Sequence, residues 1–207
     1  MKITGIYGSI RPNGNTDWML NMLLDSAQAE GAQINKIVLR DFKHIEWCTG
    51  CDVCHTNGGT CVINDDMQKI YPLLKEADII VLGCPNYFKG VSALTKNFMD
   101  RTNAFVRVKP RILQDKVAIG MCVGGEELED TQHCIDQLAR FFKGHKMKTL
   151  CMVKAKADKP GEISADTKLE RILGELGKKL ARNEFELLST LKKEITEKHA
   201  INLFRLQ

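Results

Sequence analysis

Two unbroken apolar runs, Ile79 to Cys84 and Val117 to Val123, constrain what this chain can fold into more than any other feature. Side chains along a strand alternate between faces, so a run with no polar alternate is buried on both sides. Such strands need helices above and below them, and the stripes for those helices are present. Leu20, Leu23, Leu24 and Ala27 share one helical face ahead of a stop at Gly31. Met67, Ile70, Tyr71 and Leu74 share a second, where Asp65 offers a cap and Pro72 predicts a kink or a later start. A helix is expected over 90–102, and Ile135, Leu138, Ala139 and Phe142 mark a fourth. Shorter β runs at Lys2–Tyr7, Ile34–Leu39 and Thr149–Val153 bring the strands to five. Strands alternating with helices imply right-handed crossovers and a doubly wound α/β domain around a parallel sheet.

Two segments lie outside this alternation. Residues 41–64 show no periodicity and are too long for an ordinary connection, which marks either a functional insertion or a missed element. Beyond Asp158, Leu169, Ile172, Leu173 and Leu176 form one stripe and Phe185, Leu188 and Leu191 start another, with no strand between. The tail ends in apolar Ile201, Leu203, Phe204 and Leu206. The division is therefore an α/β domain over 1–157, with the insertion at 41–64, and a C-terminal helical extension over 158–207. Apolar stripes at a chain end predict an arm packed on a sister subunit of a homodimer or homotetramer, with docking on the sheet's own helices as the simpler alternative.

A chain of 207 residues, 43% of them apolar, should bury roughly 70% of its unfolded surface. It needs neither disulfide nor metal to hold a core, so any metal would serve chemistry. The 30 basic and 26 acidic residues are dispersed and leave +4. No basic block is present to track a phosphate backbone, which excludes nucleic acid as the expected partner. The first residues lack a leader pattern, and no apolar run approaches about 18 residues, so a cytoplasmic protein without a membrane span is expected.

In an open parallel sheet, ligands bind outside the carboxyl ends of the strands. Three predicted loops lie there. After the first strand, Gly8 and Gly14 let the backbone turn, Ser9, Asn15 and Thr16 offer small donors, and Arg11 adds a cation beside a helix start whose N–H groups favour phosphate. The loop has neither G-x-x-x-x-G-K-[ST] nor G-x-G-x-x-G, which disfavours triphosphates and Rossmann dinucleotides. After the third strand, Pro85, Asn86, Tyr87 and Phe88 offer aromatic faces and an amide. After the fourth, Val123, Gly124 and Gly125 offer bare backbone. Phosphate cradle, stacking surface and backbone donors together describe a pocket for flavin mononucleotide (FMN).

Four of the eight cysteines, Cys48, Cys51, Cys54 and Cys61, are clustered in the insertion. The C-x2-C-x2-C-x6-C spacing lets one compact loop wrap a 4Fe-4S cluster, and thiolates are the usual ligands of such clusters. A zinc site, disulfides and free thiols are the other readings; zinc modules usually space two Cys pairs further apart, and a reducing compartment disfavours disulfides. Cys84, Cys122, Cys134 and Cys151 occur singly in apolar or helical surroundings and read as small buried hydrophobes. His44 and His55 read as solvated loop residues, and Lys96 and Asp100 as an i, i+4 ion pair. No Ser-His-Asp or Cys-His arrangement is legible, so no side chain is assigned as catalytic.

G-S-I-R-P-N-G-N-T at 8–16, D-D-M at 65–67, C-P-N-Y-F at 84–88 and K-N-F-M-D-R at 96–101 resemble the NADPH-dependent FMN reductase group of the flavodoxin-like fold, in order over 1 to about 155. The resemblance implies strand order 2-1-3-4-5, with the FMN phosphate on Ser9, Arg11, Asn15 and Thr16. The ribityl and ring would lie against Pro85, Asn86, Tyr87, Phe88, Gly124 and Gly125. The cysteine spacing is similar to that of the iron-sulfur flavoprotein branch, which implies an oxidoreductase exchanging electrons among ferredoxin or NAD(P)H, a 4Fe-4S cluster and FMN. It also implies an assembly that brings cofactors of adjacent subunits together. The alternative is an NAD(P)H-dependent FMN or quinone reductase whose cysteines are free.

Overall fold

A computed structural model describes residues 1–185 and 199–203. In chain order the strands are β1 (Lys2–Tyr7), β2 (Gln33–Val38), β3 (Ile79–Tyr87), β4 (Gly90–Val91), β5 (Val117–Gly124), β6 (Lys148–Lys156) and β7 (His199–Leu203). The helices are α1 (Asn15–Ala29), α2 (Met67–Glu76), α3 (Ala93–Arg101), α4 (Gln132–Gly144) and α5 (Thr167–Ala181). Five parallel strands run β2-β1-β3-β5-β6, which is the doubly wound order expected, and β7 adds an antiparallel edge beside β6.

The pleat sorts side chains onto two helical layers. Ile3, Tyr7, Val81, Ile119 and Val153 pack beneath α1 and α5, whereas Ile6, Leu82, Cys84, Cys122 and Met152 pack beneath α2, α3 and α4. α1 stops where expected: Gly31 takes φ +89°, a left-handed value that suits glycine at a helix exit. α2 runs through Pro72 without ending, because that residue lies on the exposed face while Ile70, Tyr71 and Leu74 are buried. Among the described residues, no helix is long and apolar enough to cross a membrane.

The tail departs from expectation. The stripe Leu169, Ile172, Leu173 and Leu176 is buried inside this chain's own core against α1, so its apolar face is not offered to a sister subunit. The chain then returns as β7, where an all-helical extension was expected. Pairing of Ile201 with Val153 and an ion pair from His199 Nδ1 to Asp166 Oδ2 (2.7 Å), the α5 cap, fix that strand. Leu188, Leu191, Phe204 and Leu206 lie outside the described residues.

α5 approaches α1 closely because Gly177 has no side chain. A Cβ there would collide with the Leu23 carbonyl oxygen and stand 3.1 Å from the Ala27 nitrogen, and neither backbone atom can rotate away. Gly177→Ala should therefore separate the helices and cost about 1–3 kcal/mol. Urea unfolding reads this as a lower midpoint at unchanged slope; a midpoint equal to wild type would show that α5 is not seated this tightly.

Candidate functional site

The first loop begins where β1 ends. Gly8 is wedged between strands and α3: its N–H donates to Gly83 O (2.8 Å), and its carbonyl accepts from Ser92 Oγ (2.7 Å) and Thr95 Oγ1 (3.3 Å). A Cβ on Gly8 would overlap Thr95 Oγ1, which is why glycine stands there. Gly14 is different, since a Cβ would meet only ordinary contacts. Ser9 and Thr16 are buried, and Arg11 is exposed. The Trp18 N–H is the first to bond back within α1, to Gly14 O, so the N–H groups of Asn15, Thr16 and Asp17 have no carbonyl of their own helix.

Two residues outside the expected set build this loop. Asp17 accepts from the Asn13 N–H (3.0 Å) and pairs with both Arg40 guanidinium nitrogens, at 3.2 and 2.8 Å. Arg40 also donates to Ser9 O (3.1 Å). This pair offsets a carboxylate that would otherwise repel an anion at the helix start. Asn15 was expected to hold phosphate, but its side-chain amide spans Lys159 O (2.9 Å) and the Ile163 N–H (3.3 Å). What Asn15 can offer an anion is its backbone N–H.

The second loop is more ordered than expected. Pro85, Asn86 and Tyr87 extend β3, with Pro85 opposite Val123, and the chain reverses through Phe88 and Lys89 into β4. Both turn residues have positive φ, 49° and 59°, which is the type I′ hairpin geometry that usually recruits Asn or Gly. The turn holds Phe88 fully exposed, with Tyr87 and Ile10 also exposed on this edge. Lys89 pairs with Asp130 (2.8 Å) in the turn preceding α4 and ties the hairpin to the β5 loop. Gly124 and Gly125 leave that loop bare: Cβ atoms would stand 2.9 Å from Thr131 Cγ2 and 2.7 Å from Asp158 Oδ1. Beside Gly124, the Asn86 Oδ1 is buried without a hydrogen-bond partner. Unpaired N–H groups at one end, an unpaired amide oxygen at the other and exposed aromatic surface between them fit a phosphorylated, flat heteroaromatic cofactor.

The insertion folds into one 3₁₀ turn (Val53–His55) and irregular chain, and its four clustered cysteines line one pocket with Asp100, Arg101 and Asn103. Cys48 and Cys51 are exposed, whereas Cys54 and Cys61 are half-buried. Burial and the nearness of Cys61, Cys48 and Cys51 push the Cys54 thiol up. Among the described residues, no three of these sulfurs lie within 4.8 Å of one another, wider than the roughly 4 Å that thiolates adopt around one tetrahedral ion. The set suits a multi-atom cluster better than a single zinc. His44 and His55 pair instead with Glu46 (3.1 Å) and Asp52 (3.4 Å).

Arg101 is the residue that spacing alone did not single out. It is 2% exposed, donates to Glu46 O (2.6 Å), forms a bidentate pair with buried Asp65 and reaches Cys61 Sγ at 3.5 Å. Burial pushes the Asp65 carboxyl up, but hydrogen bonds from Arg101 and from the Glu46 and Met67 N–H groups override it and hold it below the usual range. Of the four thiols, Cys61 is the one that the guanidinium touches. The pocket also lies away from the strand-end loops. Ser92 at one end of α3 touches Gly8, and Arg101 at the other touches Cys61; likewise Gly124 abuts Thr131 ahead of α4, while Cys48 shares a cavity with Phe141, Gly144 and His145 at its far end. Measured along α3, whose two ends touch Gly8 and Cys61, the two regions are about 14 Å apart.

Comparison with known proteins gives the family and the fold. Residues 1–159 match the NADPH-dependent FMN reductase family. An iron-sulfur flavoprotein of Methanocaldococcus jannaschii is 40% identical over 147 residues, covering 71% of this chain and 74% of that one. Among solved structures, a flavone reductase superposes with TM-score 0.66 at 24% identity over 90% of this chain, which spans only 64% of that longer one. An archaeal flavodoxin superposes with TM-score 0.57 at 18% identity, covering 88% and 98% of the two chains. The fold is flavodoxin-like, and the chain belongs to the NADPH-dependent FMN reductase family of flavin-dependent oxidoreductases. Within that family its branch is that of the iron-sulfur flavoproteins.

Arg101→Met leaves Asp65 buried and unpaired, and should destabilise the protein by about 3–5 kcal/mol. Adding Asp65→Leu should recover part of the loss. In wild type, the contribution of this depressed carboxyl is present above pH about 4 and is lost as pH falls below it, because the unfolded chain then binds the proton first. Urea denaturation at pH 7 and at pH 3 to 4 measures both effects. Equal stability of Arg101→Met and wild type at pH 7 would refute the role given to the pair.

Proposed function

We propose that this chain passes electrons between a donor such as ferredoxin or NAD(P)H, a 4Fe-4S cluster on Cys48, Cys51, Cys54 and Cys61, and FMN on the strand-end loops. When bound, FMN supplies two-electron chemistry and the cluster supplies one-electron chemistry. The observation that carries this reading is the pocket itself: four thiols around one space, backed by the Arg101 guanidinium.

The protein's part is to bind, orient and tune. The N–H groups of Asn15, Thr16 and Asp17, the Ser9 and Thr16 hydroxyls and Arg11 would receive the phosphate, with Arg40 keeping Asp17 engaged. Asn86, Tyr87, Phe88, Val123, Gly124 and Gly125 would meet the ribityl chain and ring. Arg101 donates toward Cys61, and hydrogen bonds to cluster sulfurs are one means by which a protein sets a cluster's potential. No side chain is assigned a proton-transfer role. The separation between loops and thiol pocket favours exchange between subunits over exchange within one chain, which implies a homo-oligomer.

Anaerobic purification with quantified iron, sulfide and flavin tests this directly. Wild type should carry four iron and four sulfide per FMN, and Cys51→Ser should lose iron while retaining FMN, because Cys51 is exposed and far from the loops. FMN without iron or sulfide in reconstituted wild type would instead make the chain an iron-free NAD(P)H-dependent FMN or quinone reductase.

A further inference from the structure

Three of the four cysteines that read as isolated hydrophobes converge. Cys84 near the end of β3, Cys122 opposite it on β5 and Cys134 in the first turn of α4 bring their sulfurs within 4.8 Å of one another, with Cys84 and Cys134 at 3.3 Å. All three are fully buried. Nothing in the chain order foretells this, since the residues come from two strands and a helix. The packing does: Cys84 and Cys122 are ladder partners on one face of the sheet, and α4 crosses that face.

We infer that Cys84, Cys122 and Cys134 form a second thiolate site that takes a single closed-shell divalent ion of the zinc type. Three thiolates around one such ion stand about 4 Å apart at a metal–sulfur distance of about 2.3 Å, so the observed grouping needs only small side-chain adjustments. This spacing separates the site from the insertion, whose sulfurs are more widely set. The Cys84 and Cys134 sulfurs already touch at 3.3 Å, so two of the three ligands are in place before any ion enters.

Charge selects the ion. Binding replaces three S–H bonds with three metal–sulfur bonds, releases three protons and leaves a net charge of −1 around a divalent ion. Lys154, the ladder partner of Cys122 on β6, stands beside it with Nζ on Gln132 Oε1 (3.1 Å). One lysine can balance −1, but not the −2 left by a monovalent ion in a core where unpaired charge is costly. Three protein ligands also leave the fourth tetrahedral position to be filled by something other than a cysteine.

This assignment is independent of the cluster proposal, and zinc counting separates the two. Purified protein is incubated anaerobically with zinc, washed with a weak chelator and analysed for retained metal, in wild type, Cys134→Ser, Cys84→Ala and Cys54→Ser. Wild type and Cys54→Ser should retain the tight equivalent, whereas folded Cys134→Ser and Cys84→Ala should each lose one zinc and keep FMN. An anomalous difference map at the zinc edge from wild-type crystals needs no variant and should place a peak between the three sulfurs. Unchanged zinc in folded Cys134→Ser, or no peak there, would overturn the site whatever iron the insertion holds.

Discussion

The buried pair between Arg101 and Asp65 is the constraint on which the chain's unusual part depends. The insertion has almost no regular structure of its own, so something must hold 24 residues of irregular chain against the domain. Arg101 does this from the end of α3: it takes the Asp65 carboxylate ahead of α2, the Glu46 carbonyl from the insertion and the Cys61 sulfur. Removing one partner of such a pair strands a charge in the core, which makes the contact far costlier to break than a surface bridge. Its location decides where the four thiols lie. They stand at the far ends of α3 and α4, while the loops suited to a flavin stand at the near ends.

The strand-end edge follows a different logic. There, neighbouring parallel strands stop together and each loop is tied to the next: Gly8 to α3, Phe88 and Lys89 to the turn before α4, Asn15 to the segment after β6. The anion-facing groups are mostly backbone, and the charged side chains behind them, Asp17 and Arg40, are paired with each other. Side chains thus shape the loop, and main-chain N–H groups remain to receive a ligand. The same economy holds at Gly124 and Gly125, where the absence of Cβ atoms lets strands and loops close up.

Much of this was legible in the residues. Continuous apolar strands and helical stripes were enough for the doubly wound sheet, because burial on both faces leaves few other arrangements. The small-residue loop after β1, the aromatic segment and the four closely spaced cysteines each stood out locally as candidates. What could not be read was contact between distant segments. Arg101 looked like any helix-terminal cation, and its meaning comes from Asp65, 36 residues away. Cys84, Cys122 and Cys134 looked solitary because periodicity places each on a face without saying which others share it. β7 escaped because His199 to Leu203 pairs across the sheet edge after a long return. The α5 stripe was visible, but a stripe does not say which surface covers it, and that surface is α1 of the same chain.

The central claim is spatial: the insertion thiols meet α3 and α4 at the ends opposite to those that meet the loops suited to a flavin. Iron-edge anomalous diffraction from crystals of the loaded protein tests it most directly. The expected result is an iron peak enclosed by Cys48, Cys51, Cys54 and Cys61 beside Arg101, with flavin density on residues 9–16 of that chain a helix length away and a neighbouring subunit's flavin nearer. An iron peak against the strand-end loops, or flavin bound beside the thiols of its own chain, would contradict it.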